Sequence, residues 1–492
     1  MFFKTVTPEE AGISSGKVVE FLKILDSYNF CTHSIIMARG DKIFAEVYYK
    51  PFDKNFKHRM YSISKSFVSV ALGMAAEEGL LSLSDKMIEY FPEYVPDDAN
   101  ELMRETTIRD MLTMETSIQN HVFWFTSGTK DRTEMYFKNK GEKVPGTIFC
   151  YDSPGSYMLG VIVEKVTGKP FLEYMKEKAL CDIGFSADAY CLTVPGGHSF
   201  GDSGIMCTAR DLLTFARFVM NKGEWCGKQY MDRNYLEDAV KKQVSNANTS
   251  QVTYNSYGYG YQIWKAPNDG FAFIGMGDQF AICDPDSDFI FIINSDNQGS
   301  KPSTRAILYH ELYKSIIGSL SAPMPKDEKA YADLVQYCEN AELFSLKQEK
   351  NNPFEAEING KVYELKENRM KIEYIKFNFE GKKGILTYKN EQGTKELVFG
   401  LGYNEFGKVP QEGYSDMTAT EYAAGNYYDC ACSADWTEEK KLRIKVQIID
   451  KYFGNASFVF SFKDSRVSVL MTRAAENFLL EYEGVATGNI KN

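Results

Sequence analysis

The period of the apolar residues changes once along this chain, and that change constrains the fold more than any other feature. From about residue 336 onward they recur at every second position: Leu442, Ile444, Val446 and Ile448 alternate with Arg443, Lys445 and Gln447. Such alternation predicts half-buried strands. Similar stretches at Ile372–Phe379, Gly384–Lys389, Lys395–Gly400, Ser457–Phe462 and Ser468–Met471 are separated by turn signals such as Asn359-Gly360 and Glu380-Gly381. Before residue 320 the pattern is mixed. Ser34–Tyr49 predicts a hairpin about Arg39-Gly40-Asp41, and Ser62–Gly79 a long helix whose Ile63, Phe67, Val70 and Met74 recur at helical spacing. The opposite side of that helix, Val68, Ala71 and Ala75, is also apolar, so the helix is expected to be buried nearly all round. Further helices are predicted over Ile108–Met114, Gly155–Val166, Phe171–Lys178, Thr208–Asn221 and Thr304–Ile317, and strands over Phe271–Ile274 and Phe289–Asn294. We therefore expect a mixed α and β domain over 1–320, a linker over 321–335 around Pro323 and Pro325, and a mostly antiparallel β-rich domain over 336–492.

A length of 492 residues fits two cores better than one. The longest apolar run, Phe67–Ala76, is interrupted by Ser69 and Gly73 and is far shorter than a membrane span. The N-terminus lacks the apolar stretch of a secretion signal, and the ten cysteines show no CxxC or Cys/His metal spacing. The expectation is a cytoplasmic protein with reduced thiols, no metal and no membrane partner. A net charge of −11 argues against a nucleic-acid or anionic-membrane partner.

The chemistry is concentrated at Tyr61-Ser62-Ile63-Ser64-Lys65, the start of the buried helix. A serine hydroxyl becomes a useful nucleophile only beside a base. Positions i and i+3 share a helix face, so Lys65 lies within reach of Ser62. A lysine serves as base only as the neutral amine, which desolvation favours. A helix start would also direct backbone N–H groups at a developing oxyanion. The bland readings are a helix cap for Ser62 and a solvated side chain for Lys65. A second S-x-x-K run, Ser14–Lys17, precedes no such apolar helix and receives no role.

Five runs in order resemble the serine β-lactamase, penicillin-binding-protein and esterase family over roughly 300 residues. Ser62-Ile63-Ser64-Lys65 is similar to S-x-[ST]-K, and Thr107-Ile108-Arg109-Asp110-Met111-Leu112-Thr113-Met114 to T-[IV]-R-x-L-L-T-[HM]. Pro145 to Ser153 resembles P-G-x-x-F-x-Y-S-N, and Gly204 to Leu212 resembles G-[GL]-x-x-[ST]-A-x-D-[LM]. Gly275-Met276-Gly277-Asp278-Gln279 falls where members carry K-T-G or H-x-G on an edge strand.

The resemblance implies an α+β fold, an antiparallel sheet flanked by helices with a helical subdomain, ahead of the β-rich C-terminal domain. It implies Ser62 as nucleophile, Lys65 as base and Tyr151 as proton shuttle, with Tyr151 as a core aromatic the bland alternative. Ser153, Met276, Gly277, Asp278 and Gln279 would bind substrate or line the oxyanion hole, together with the N–H of Ser62. No cofactor is implied, and the partner is a small ester or amide; the sequence carries no signal for an oligomeric state.

Three departures narrow the activity. Ser153 stands in place of the Asn that holds a lactam's carbonyl. Met276 or Gly275 replaces the Lys or His, and Asp278 adds a carboxylate where Gly is common. These favour the esterase and linear-amide side, including 6-aminohexanoate-oligomer hydrolase-like members, over a class C-type β-lactamase or D-amino-acid peptidase. A silent binding protein on the same fold has no reason to keep Ser62, Lys65 and Tyr151 together. Gly201-Asp202-Ser203-Gly204 matches the run around a trypsin-like serine, but His33, His58, His121, His198 and His310 offer no matching setting. The absence of G-x-S-x-G disfavours an α/β-hydrolase.

Overall fold

In the computed structural model, which describes residues 3–96, 99–118, 131–247, 256–300, 303–414, 422–476 and 478–491, a seven-stranded sheet organises the first part of the chain. Its strands run in the order Lys4–Thr5, Lys42–Tyr48, Thr32–Arg39, Phe289–Ser295, Gln279–Asp284, Phe271–Gly275 and Trp264–Lys265. The first pair is parallel and the others antiparallel. The predicted hairpin turns between Arg39 and Lys42, which face each other across it.

The strand Phe289–Ser295 is apolar almost throughout because helices cover both faces of the sheet. Phe289, Phe291 and Ile293 join a core with Val18, Phe21, Leu22 and Leu25 of the helix Ser15–Ser27 and Leu308 and Tyr309 of the helix Thr304–Glu311. On the strand Phe271–Gly275, two places along the sheet, Phe273 points to the other face, where it packs against Phe215 of the helix Ala209–Met220. Phe215 in turn stacks on Phe67 at 3.6 Å. The helix carrying Phe67 is therefore enclosed, as its all-round apolar pattern predicts. Tyr235 lies so close to Gly73 that an added Cβ would stand 2.4 Å from the ring.

Two boundaries differ from the sequence reading. The helix begins at Ser64, after a 3₁₀ turn over Tyr61–Ile63, and ends at Glu77. The expected linker, residues 321–335, carries the first turns of another helix, Glu328–Asn340. Pro323 and Pro325 do interrupt the chain, but Asp327 restarts it by accepting the N–H of Ala330 at 3.0 Å. The new helix returns to the first core through Leu334 and through Tyr337, whose hydroxyl donates to Asp26 at 2.7 Å. By contact the chain divides after Glu342, with Gln298–Ser300 grouping with the second part.

The second unit is a ten-stranded sheet among the described residues, formed of successive antiparallel neighbours. A short parallel pairing of Gly400 with Ser433 and Leu401 with Ala434 joins Gly393–Leu401 to Tyr422–Glu438 and closes the sheet into a barrel. Leu442, Ile444, Val446 and Ile448 are buried inside it, as their alternation requires. Among the described residues no helix is long and apolar enough to cross a membrane.

Candidate active site

Ser62 sits in a tight turn between a strand and a helix. The strand His58–Arg59 pairs with Ile205–Cys207, and Met60 extends the pairing by donating its N–H to Ile205 O at 2.8 Å. Tyr61 then takes a left-handed backbone, φ 47°, which is uncommon outside glycine and costs about 1–3 kcal/mol. Arg59 offsets part of that cost by placing its guanidinium 4.4 Å from the centre of the Tyr61 ring. From the helix, Ser64 Oγ accepts the N–H of Ile205 at 3.0 Å and Ser66 Oγ donates to Gln262 O at 2.8 Å.

Lys65 is 1% exposed, and its Nζ donates to Ser62 Oγ at 3.0 Å and to Asp202 O at 2.7 Å. The i, i+3 pairing expected from the sequence is thus formed, by side chains at the junction of a 3₁₀ turn and an α-helix. Ser62 itself is partly exposed.

Tyr151 ends the loop before the helix Ser153–Thr167. That loop is pinned by Cys150 N donating to Met114 O at 2.8 Å. Asp152 then caps the helix, accepting from Gly155 N at 2.7 Å and from Thr116 Oγ1 at 2.6 Å. Tyr151 is 36% exposed, stacks on Trp264 at 5.6 Å and presents its ring face to Lys65 Nζ, 5.2 Å from the ring centre. Its hydroxyl makes no hydrogen bond among the described residues, so Tyr151 stands beside Lys65 without being bonded to Ser62. Ser153 opens the helix and is partly exposed.

The run Met276–Asp278 is the turn joining two strands of the sheet, with Gly275 opposite Gln279. A Cβ on Gly275 would lie 2.4 Å from Met60 O, so only glycine lets this strand end approach the turn that holds Ser62. The five residues divide. Met276 and Gly277 are partly exposed. Asp278, 6% exposed with φ 67°, is turned away: its Oδ2 accepts from Thr304 Oγ1 at 2.5 Å and its Oδ1 lies 3.6 Å from Arg305 Nε. It therefore offers substrate no free carboxylate, because the left-handed backbone directs the side chain back onto a helix start. Gln279 is fully buried and ties the turn to the sheet, donating to Met276 O and Ser295 O and accepting from Asn294 Nδ2.

Several contributors carried no sequence signal of their own. Trp264 supports Tyr151, and Gln262 joins three elements through Ser66, Ser156 and the carbonyls of Met111 and Leu112. Asp202 lies in the run that resembles a trypsin-like serine. Its carboxyl is pushed up to about 6 by burial, opposed by the charges of Lys65, Arg132 and Arg59. Ser203 accepts from Arg59 Nη2 at 3.1 Å. Ser14 is a helix cap, accepting the N–H of Lys17 at 3.3 Å. His33 and His58 stack on each other in the core at 5.3 Å, His198 Nδ1 lies 2.8 Å from Glu164, His310 is exposed, and His121 lies outside the described residues.

Comparison with known proteins agrees with this architecture. A 6-aminohexanoate-dimer hydrolase of Paenarthrobacter ureafaciens is 25% identical over 311 residues, covering 59% of this chain and 78% of that protein. Among solved structures, one provisionally named 6-aminohexanoate-dimer hydrolase, from Bacillus anthracis, superposes with a TM-score of 0.51 at 20% identity, over 69% of this chain and 88% of its own. A family VIII carboxylesterase gives 0.50 at 14% identity, over 64% and 99%. The Beta-lactamase family model matches residues 23–313, more than half of the 492, and the chain therefore belongs to the beta-lactamase family of hydrolases.

Proposed function

We propose that the chain is a serine hydrolase that cleaves an ester or a linear amide through an acyl-enzyme on Ser62. The observation carrying this reading is the buried Lys65 Nζ at 3.0 Å from the partly exposed Ser62 Oγ. In the reaction Ser62 Oγ attacks the carbonyl carbon while its proton passes to the Lys65 amine. The oxyanion forms against the N–H of Ser62 and a donor of the adjacent turn at Met276-Gly277. The bond from carbonyl carbon to alcohol or amine then breaks, and the leaving group takes up the proton by way of Tyr151 once substrate bridges the gap to its hydroxyl. Water attacks the acyl carbon in turn and frees the acid and Ser62.

A lactam needs fixed polar partners for its carboxylate and side-chain amide. Ser153 and Met276 supply neither the amide nor the cation that members handling lactams use. The expected substrates are therefore short-chain esters and linear amides, with slow or absent turnover of penicillins and cephalosporins.

Intact-protein mass spectrometry after a fluorophosphonate tests the reading. One adduct is expected, on the peptide holding Ser62, and none on Ser62→Ala, while Ser14→Ala and Ser203→Ala label normally. Labelling that survives Ser62→Ala rejects it. Efficient nitrocefin hydrolysis without esterase activity would return the choice to a β-lactamase.

A further inference from the structure

Gln279 is fully buried and has no part in the reaction as set out above, yet every bonding position of its amide is used beside Ser62. Its Nε2 donates to Met276 O at 3.1 Å and to Ser295 O. Its Oε1 accepts from Asn294 Nδ2 at 3.1 Å and from Ser295 N at 3.3 Å. A carboxamide has two N–H donors and two acceptor lone pairs, so none is left over. Because the two carbonyls only accept and Ser295 N only donates, the amide fits in one orientation. Asn294 Nδ2 also lies 3.9 Å from Met60 Sδ, which carries the same network to the chain just before Ser62.

These bonds fix the direction of the turn Met276–Asp278. A trans peptide unit is planar, with its N–H directed opposite to its C=O. Gln279 draws Met276 O toward the sheet, so the N–H of the same peptide unit, that of Gly277, is turned the other way. The next carbonyl is held inward as well: Gly277 O accepts from Ser295 Oγ at 2.7 Å and from Asn297 N at 3.1 Å. Gly277 is partly exposed, and its N–H donates to nothing among the described residues. The strand end at Gly275 comes so near Met60 O that a Cβ would lie 2.4 Å from it, which sets this turn beside the one that holds Ser62.

We propose that Gln279, with Ser295, is a positioning residue: the two hold the Met276–Gly277–Asp278 carbonyls inward so that the Gly277 N–H is the second donor to the oxyanion formed at Ser62. A donor fixed before substrate arrives needs no reorganisation as charge develops, which is what makes it effective in the transition state. Without the buried amide the Met276 carbonyl is free to turn, and the Gly277 N–H turns with it because the two belong to one rigid unit. The inference rests on Ser62 being the nucleophile.

The test uses the full chain, a short-chain ester and an aryl boronic acid, whose adduct with a serine oxygen is a tetrahedral anion shaped like the transition state. Gln279→Met keeps the length of the side chain and removes its hydrogen bonds. It should lower kcat by about tenfold to a hundredfold, less than the loss of about 10²–10³ when an oxyanion donor is removed outright. The inhibition constant of the boronic acid should rise by the same factor, with KM changed less than about threefold, because the misplaced donor serves the transition state and not the bound ester. An inhibition constant within about twofold of wild type overturns the proposal whatever kcat does, and so does a KM that rises in step with it. If circular dichroism shows that Gln279→Met does not fold, Ser295→Ala decides by the same two constants. It takes the hydroxyl from Gly277 O, and a boronic acid bound about threefold to tenfold more weakly at unchanged KM upholds the proposal, whereas unchanged binding overturns it. A boronic acid that binds Ser62→Ala as tightly as wild type would instead reject the serine reading.

Discussion

In the barrel, Glu481 receives both Lys395 Nζ contacts at 2.9 Å and a bond from Asn390 Nδ2, and Tyr388 hydrogen-bonds to Tyr482 at 2.7 Å. In the helix-and-sheet unit, Asp202 is buried more deeply, but its Oδ1 has no donor among the described residues. Both regions enclose a carboxylate near cations. One is closed by hydrogen bonds, which lock a single packing. The other keeps one carboxylate oxygen without a donor among the described residues, next to a strained turn and a partly exposed serine. Saturated polar clusters serve stability, and unsaturated ones mark where a fold keeps groups available for reaction.

Breaking the comparison on the reactive side should change rate and not stability. Tyr151→Phe keeps the ring on Trp264 and removes a hydroxyl that bonds nothing in the described residues. Ester kcat/KM should fall by about 10²–10⁴, with unfolding free energy within about 0.5 kcal/mol of wild type. Equal rates would remove Tyr151 from proton transfer.

The barrel should respond the opposite way. Glu481→Gln leaves Lys395 without its counter-charge in a largely buried position and should destabilise the fold by about 3–5 kcal/mol in urea unfolding. Fluorophosphonate labelling of Ser62 at 20 °C should be unchanged. A barrel that tolerates the change would show that its cluster is not the source of its stability.

The smallest effect sharpens the comparison through a third kind of buried group. His33 and His58 are packed among Phe52 and Phe56, and burial lowers both, His58 to about 3. Their folded pKa values lie below the unfolded 6.5, so the unfolded chain binds more protons below pH 6.5. Stability is full above that pH and is lost as pH falls, for His58 by about 1.4 kcal/mol per pH unit down to about pH 3. His58→Phe should remove one such contribution from the slope of urea-unfolding stability between pH 6 and 4. An unchanged slope would contradict the burial of His58 as a neutral ring.

The sequence by itself determined the local parts. Ser62 and Lys65 meet because one helical turn brings them together, and neighbours three residues apart need no distant partner to do so. The alternation at Leu442–Ile448 specified a strand for the same reason, since a pleat sets which side each residue faces. The tertiary structure decided everything that depends on which elements pack together. Asp202 reaches Lys65 across 137 residues of chain, and Trp264 meets Tyr151 only because a sheet edge lies beside a helix start. Asp278 reads as a pocket carboxylate until a left-handed backbone and a helix start at Thr304 turn it inward. Residues 328–335, the end of the stretch read as a linker, belong to the helix Glu328–Asn340 because the first core offers Leu334 and Tyr337 a place to bury. Local periodicity reports which residues share a face; the partner that face meets is set by packing free energy summed over the whole domain, which no window of neighbours contains.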